Sequence, residues 1–213
     1  MKLVRKYVRL LLWCLFYFSV AYALSWSYFQ SEYSTLYIFL VGNLFMPEAY
    51  YFKIVMLFIA YLYVIKKPFH SLFFVARCKE FYLWHIILFG LKASLFHITY
   101  TAILYLGIPF LKGVPMLYDG SLFFDFFNLF AYLFSIYLLY ILILLLSGKQ
   151  MLSLLVSLAI NASMALIYWT IKSTDNPVLL RNIDHIILNY YAGIAILLVG
   201  IIVVIFRRKD FLA

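Results

Sequence analysis

Long apolar stretches constrain this chain more than any other feature. The clearest runs from about residue 123 to 146 and contains one charged residue, Asp125. Such a stretch is long enough to cross a hydrocarbon layer of about 30 Å as a helix. Because backbone polar groups cannot stay unpaired in lipid, a spanning chain must form helices or a closed barrel. Barrel strands alternate apolar and polar residues, whereas this stretch is apolar almost throughout, so the sequence predicts an all-α membrane protein.

Composition, charge and cysteine spacing argue against a soluble domain, a nucleic-acid-binding protein and a disulfide or metal framework. Of the 213 residues 68% are hydrophobic and 12% are charged, whereas a soluble domain carries roughly 25% charged residues. The net charge is +9, but the basic residues flank apolar segments and do not line one soluble face, which argues against nucleic-acid binding. The two cysteines, Cys14 and Cys78, lack the spacing of a disulfide framework or metal site.

Six apolar segments are predicted to cross the membrane, at about 8–26, 49–65, 84–106, 123–146, 150–171 and 187–206. Another apolar piece, 33–46, is too short to cross, so we expect it to lie at the interface or to enter and return. Breaks are marked by Pro68, by the Gly- and Pro-rich stretch 107–115, by "SGK" at 147–149 and by "STDNP" at 173–177. Without an internal repeat or a soluble segment, residues 1–213 are predicted to form a single transmembrane domain.

The distribution of basic residues predicts the orientation, because Lys and Arg accumulate in cytoplasmic loops. With both termini in the cytoplasm, that side holds twelve of the seventeen basic residues: Lys2, Arg5, Lys6, Arg9, Lys66, Lys67, Arg77, Lys79, Lys149, Arg207, Arg208 and Lys209. The outside holds Lys53, Lys112, Lys172 and Arg181. We therefore predict a polytopic protein with both termini cytoplasmic.

A few polar side chains within the predicted spans are candidates for function. Lys92 lies well inside the third span, where an ionisable group either faces a cavity or partner or extends its stem toward the interface. His97 continues a row of small and polar residues on the same span: Gly90, Ser94 and Thr101. On the fifth span Ser153, Ser157 and Asn161 recur every four residues. Both rows are typical of helix contacts, and either could also line a polar path for a substrate.

Catalytic chemistry is not indicated. The chain has no GxSxG, no HExxH and no paired carboxylates within a span. His85 and His97 lie twelve residues apart on one predicted helix, which is not a spacing for two ligands of one metal. We therefore predict no catalytic residue, no metal site and no cofactor in this chain.

The basic segment "IKKPFHSLFFVARCKEFYLWH", from Ile65 to His85, separates the second and third spans. Pro68 suits a first helical turn, and apolar residues follow on one helical face: Phe69, Leu72, Phe73 and Ala76. A helix lying on anionic lipid would explain this pattern. Phe74, however, falls among basic and polar residues on the other face, where an aromatic side chain is better suited to a protein groove.

Several of these features resemble the small six-span permease subunits of bacterial ABC exporters of the second exporter type. The resemblance covers essentially the whole chain. It rests on the loop "KKPFHSLFFVARCKEFYLWH", its direct passage through Arg77 and Trp84 into span three, the turn "SGKQ" and the ending "IIVVIFRRKDFLA".

The resemblance implies a mechanism and partners. In such permeases the loop after span two forms a coupling helix that docks on a separate ATPase dimer, and two permeases pair so that cargo leaves between them. Here the coupling helix would span about 68–81, with His70, Phe74, Arg77 and Lys79 as contacts. The chain lacks GxxxxGK[ST], so ATP and Mg would bind the partner ATPase. The protein would lie in a bacterial cell membrane.

The short segment ahead of span one and the compact loop between spans five and six depart from the polysaccharide-exporting relatives. These departures favour an amphipathic or hydrophobic cargo such as a peptide, toxin or antibiotic. The alternative is a small channel or secondary carrier that works alone, for which the spans offer chiefly Lys92 and His97.

Overall fold

The computed structural model describes residues 2–29, 54–65, 79–111, 122–172 and 177–208. Within these ranges the chain forms six α-helices and no strand. The helices are α1 (Lys2–Phe29), α2 (Val55–Ile65), α3 (Lys79–Leu111), α4 (Leu122–Ser147), α5 (Gln150–Lys172) and α6 (Pro177–Arg208). The predicted all-helical class is therefore confirmed for the part of the chain that is described.

The helices extend beyond the apolar segments that predict them. The third span was predicted at 84–106, whereas α3 runs from Lys79 to Leu111 and so continues past Gly107, where we expected a break. The sixth was predicted from 187, whereas α6 begins at Pro177, and proline is favoured at a first helical position. Hydropathy detects only the part of a helix that suits hydrocarbon, so the charged start of α3 at Lys79 and Glu80 is missed. At the other end Gly107 and Pro109 predict a break, but the helix passes through both. The piece at 33–46 lies outside the described residues.

Three of the described helices are long and apolar enough to cross a membrane: Glu80–Ile108 in α3, Asp125–Ser147 in α4 and Tyr191–Arg208 in α6. Shorter apolar helices are Tyr7–Ala23 in α1 and Gln150–Met164 in α5. By length and composition, these helices indicate a membrane protein.

The chain divides into two compact units, one of Met1–Lys67 with Phe96–Phe127 and the other of Pro68–Leu95 with Asn128–Ala213. In the first unit, α1 packs against α2 and the second half of α3. Trp13 donates a hydrogen bond to the Leu57 carbonyl (3.3 Å), and Tyr100 donates to the Cys14 carbonyl (2.6 Å). Tyr side chains and an indole thus join these three helices by polar contacts as well as by packing.

In the second unit α4 is the central helix, because 72% of its spanning segment is buried. Its polar side chains reach three different neighbours. Tyr137 donates to the Ile86 carbonyl of α3 (2.9 Å), Tyr132 donates to Oδ1 of Asn161 in α5, and Ser135 donates to the Tyr191 carbonyl of α6 (3.1 Å). Each of these bonds gives a buried polar group a partner and so avoids the cost of leaving it unpaired in apolar surroundings.

A tight turn joins α4 to α5 at the "SGK" sequence. Gly148 has a φ of 68°, a left-handed conformation that glycine adopts at low cost, and its N–H bonds to the Leu144 carbonyl (2.9 Å), as in an αL helix end. The Ser147 hydroxyl accepts from the Lys149 N–H (3.3 Å). The sequence prediction of a break at this position agrees with the turn.

Large apolar side chains cover much of the outward-facing helix surface. They are more than half exposed on several helices: Leu11, Leu12 and Phe16 on α1, Leu155 and Leu166 on α5, and Ile196 and Leu197 on α6. Soluble monomers rarely expose apolar patches of this extent. In hydrocarbon this exposure carries no penalty, so the surface agrees with a membrane environment.

At Gly90 helix α3 lies in close contact with the Tyr137 side chain of α4. A Cβ atom at this position would overlap the ring of Tyr137, the residue that bonds to the Ile86 carbonyl one helical turn earlier. The glycine therefore makes room for the ring, and the hydroxyl can reach its acceptor. Close approach at small residues is typical of membrane helix pairs.

We expect Gly90→Ala to lower the stability by about 1–3 kcal/mol, because overpacking displaces a buried ring. Gly200→Ala on α6 is the matched control, since no atom lies within 4 Å of its added Cβ, and alanine improves helix propensity by about 1 kcal/mol. The measurement is the thermal unfolding midpoint in detergent micelles. Equal midpoints for the two variants would contradict the proposed contact.

Candidate functional site

His97 lies at the centre of an aromatic cluster in the first unit. Its ring stacks on Tyr17 with centroids 5.3 Å apart, and Phe58 and Trp13 approach it at 5.2 and 5.5 Å. The His97 side chain is fully buried. Three helices therefore contribute to one enclosure around a single imidazole.

The polar atoms of this cluster are only partly paired. Thr101 donates its hydroxyl hydrogen to the His97 carbonyl (2.8 Å), so its oxygen accepts the hydrogen bond from the Tyr17 hydroxyl (2.7 Å). The backbone of Ile54 interacts with the His97 ring, but neither ring nitrogen completes a hydrogen bond within the described residues.

The polar row on α5 is buried in the second unit. Ser153 and Ser157 are fully buried, and each donates its hydroxyl to the carbonyl four residues earlier, at Lys149 and Ser153 (both 2.8 Å). Asn161 is also buried and accepts from Tyr132 on α4. The Asn161–Tyr132 bond joins α5 to α4 and favours the helix-contact interpretation at that position, whereas the two serine hydroxyls bond to their own helix.

Lys92 differs from the other polar candidates because its side chain is exposed. It lies thirteen residues into α3, about 20 Å along the helix axis at 1.5 Å per residue. No acidic side chain in the described ranges forms an ion pair with it. Lys92 therefore does not join the buried row of Gly90 and Ser94 on the same helix, and it points to the surroundings of the chain.

The predicted coupling helix lies mostly outside the described residues, and so do three of its four predicted contacts, His70, Phe74 and Arg77. Lys79 is the first residue of α3. The last three positions of the predicted helix, 79–81, thus belong to α3 itself. Beside them, Glu80 accepts from Nε of Arg207 at the end of α6 (2.8 Å), and Tyr82 and Phe206 have ring centroids 6.2 Å apart.

Sequence reasoning missed the tyrosines that join the helices. Tyr17, Tyr132 and Tyr137 are fully buried or nearly so and donate hydrogen bonds to other helices. Tyrosines in apolar segments are typically assigned to the membrane interface, where one end of the ring meets water. A signal was available, because these three lie well inside their spans and a phenol there needs a partner.

Metal binding has no structural basis in the described ranges. There, no group of three His, Cys, Asp or Glu side chains lies close enough together to hold an ion.

Comparison with protein-family models, curated proteins and solved structures finds no match for this chain. A function is accordingly inferred from its own residues and their geometry.

The Tyr17–Thr101 hydrogen bond can be tested by comparing its two ends. Tyr17→Phe should cost about 1 kcal/mol, because Thr101 keeps its bond to the His97 carbonyl. Thr101→Val should cost more, about 1–3 kcal/mol, because it leaves the buried phenol hydroxyl without this acceptor. The free energy of unfolding is measured by denaturant titration in mixed micelles.

The double variant Tyr17→Phe/Thr101→Val should recover part of the loss seen with Thr101→Val alone. Tyr63→Phe is the control, since Tyr63 on α2 is exposed. Strictly additive losses in the double variant would show that the two hydroxyls do not interact.

Proposed function

We propose that this protein is the membrane-spanning permease subunit of an ATP-driven exporter in a bacterial cell membrane. In this proposal six helices cross the membrane, both termini are cytoplasmic and two permeases pair. A separate ATPase dimer binds ATP and Mg and supplies the energy. The cargo is amphipathic or hydrophobic, with a peptide, toxin or antibiotic favoured.

The observation that carries the proposal is the junction between the basic loop and α3. The segment 68–81 combines Lys and Arg with phenylalanines and continues into α3 without a break after Lys79. At this junction Glu80 is paired with Arg207, and Tyr82 contacts Phe206. A displacement of the loop by a partner would therefore act on the starting turn of α3 and the last turn of α6 together.

The Glu80–Arg207 ion pair contributes little to stability, and its main effect is to hold the start of α3 beside the end of α6. Both side chains are about 60% exposed, and exposed ion pairs contribute about 0–1 kcal/mol. Each partner also suits its own helix end, because acidic residues are favoured in a first turn and basic residues in a last turn. The pair thus aligns two helix ends at low cost, as a coupling element requires.

The polar side chains also bear on where cargo passes. Ser153, Ser157 and Asn161 use their hydrogen bonds within the second unit. A stand-alone channel or carrier needs polar groups that face a path through the chain, and this row offers none. Lys92 instead faces the surroundings, where an intramembrane charge needs a polar partner or water. These features support passage between two copies of the chain.

The test is coupling to an ATPase in native membranes. The chain should co-purify with an ATPase subunit, and Phe74→Ala or Arg77→Glu should abolish stimulated ATP hydrolysis while leaving membrane insertion intact. Phe74→Ala removes the aromatic group predicted to fill a groove, and Arg77→Glu reverses a contact charge. ATP hydrolysis is measured in reconstituted vesicles.

Phe123→Ala is the matched control, because Phe123 is a highly exposed phenylalanine on α4, outside the predicted coupling helix. It should leave stimulated hydrolysis unchanged. Normal coupling in both loop variants would refute the contacts. Flux through the purified chain in liposomes without any ATPase would favour the stand-alone channel or carrier.

A further inference from the structure

A cavity of about 140 Å³ lies between α4, α5 and α6 in the second unit. Apolar side chains from all three helices line it: Ile136 and Leu139 on α4, Ile160 and Met164 on α5, and Ile194 and Leu198 on α6. The described residues of the proposed coupling segment, 79–81, are not among those that line it.

The cavity lies near mid-length of the helices that form it. Ile136 is at the middle of the spanning segment Asp125–Ser147, and Ile160 is at the middle of α5 (Gln150–Lys172). About eleven residues separate Ile136 from either end of its segment, or roughly 16 Å at 1.5 Å per residue. In a bilayer this depth corresponds to the centre of the hydrocarbon, where the ends of acyl chains lie.

The wall of the cavity presents only apolar surface. The polar groups beside it are already bonded within the protein: the Tyr132 hydroxyl to Asn161, and the Ser135 hydroxyl to the Tyr191 and Ala131 carbonyls. A water molecule in a cavity needs two to four polar partners. The cavity thus offers a poor site for water and a favourable one for hydrocarbon.

The cavity is partly open, and its rim belongs to the apolar outer surface. Met164 and Ile194 line it and are themselves exposed, at 40% and 39%. Their neighbours Ile167 and Leu197 are still more exposed. In a membrane the medium at this rim is acyl chain, so an occupant can enter from the bilayer without crossing a polar layer.

We propose that this cavity binds the terminal segment of a lipid acyl chain. Its volume is close to that of an apolar protein cavity of about 150 Å³ that stays dry and binds benzene. The space thus accommodates a few carbon atoms and not a whole lipid, which fits the end of a chain that enters from the bilayer centre. The proposal requires a membrane environment and does not depend on the proposed export function.

The experiment uses the full-length chain in vesicles of phosphatidylglycerol whose acyl chains carry a diazirine at the terminal carbon. After irradiation, mass spectrometry should find labels on Ile136 and Leu139, which face the interior of the cavity. A lipid with its diazirine close to the headgroup should not label them. Exposed Leu166 reports the background labelling at the outer surface.

Two variants make the result specific to the cavity. Ile160→Phe fills the space and should abolish labelling at Leu139, whereas Leu166→Phe, an equal change on the exposed face of α5, should not. Ile136→Ala enlarges the space and should increase labelling at Leu139, which keeps the test valid if the filled variant fails to fold.

Absence of labels at Ile136 and Leu139, with normal labelling of Leu166, would overturn the proposal. Labelling of these two residues by a free alkyl diazirine, but not by the phospholipid, would also overturn it, because the occupant would then not be a bilayer lipid.

Discussion

The requirement that polar groups in hydrocarbon find partners inside the protein determines how these helices associate. Polar side chains of α4 satisfy this requirement by hydrogen bonds to three neighbouring helices: Tyr137 to α3, Tyr132 to α5 and Ser135 to α6. Since apolar side chains gain little by leaving lipid for protein, such bonds and close packing supply the specificity. The same requirement explains the glycine at position 90, because a side chain there would overlap the Tyr137 ring. The cavity beside Tyr132 and Ser135 presents only apolar surface for a related reason, since these polar neighbours already have partners.

Much of this fold can be predicted from the sequence, and the limits have physical causes. Apolar length locates α4 closely, and "SGK" predicts the turn at Gly148. Helix ends are predicted less well, because the charged residues at the start of α3 have no hydropathy signal and because its last turns pass through Gly107 and Pro109, which predict a break. Which face of α4 meets which neighbour cannot be predicted, since a helix that is apolar all round has no preferred face in its pattern. The position of Tyr132 and Tyr137 inside a span indicates that each phenol needs a partner, but which helix supplies that partner depends on the orientation.

For the candidate site, too, the sequence predicts some features and not others. Spacing predicts that Ser153, Ser157 and Asn161 share a face of α5, and all three are buried. Spacing does not distinguish a helix contact from a path, because both use small polar residues every four positions. The hydrogen-bond partners favour the contact. Lys92 was predicted either to face a cavity or partner or to extend toward the interface, and its exposed side chain on α3 is compatible with both.

The central claim is that the buried polar row on α5 makes its hydrogen bonds inside the protein, Ser153 and Ser157 to their own helix and Asn161 to Tyr132 of α4, and that no aqueous path runs along it. It is tested most directly by thiol accessibility of Ser157→Cys in a Cys14→Ala/Cys78→Ala background in intact vesicles. Lys149→Cys, at the exposed α4–α5 turn, is the reference. A membrane-impermeant maleimide applied to both sides should modify the reference and leave Ser157→Cys unmodified until the protein is denatured. Modification of Ser157→Cys at the rate of the reference would contradict the claim.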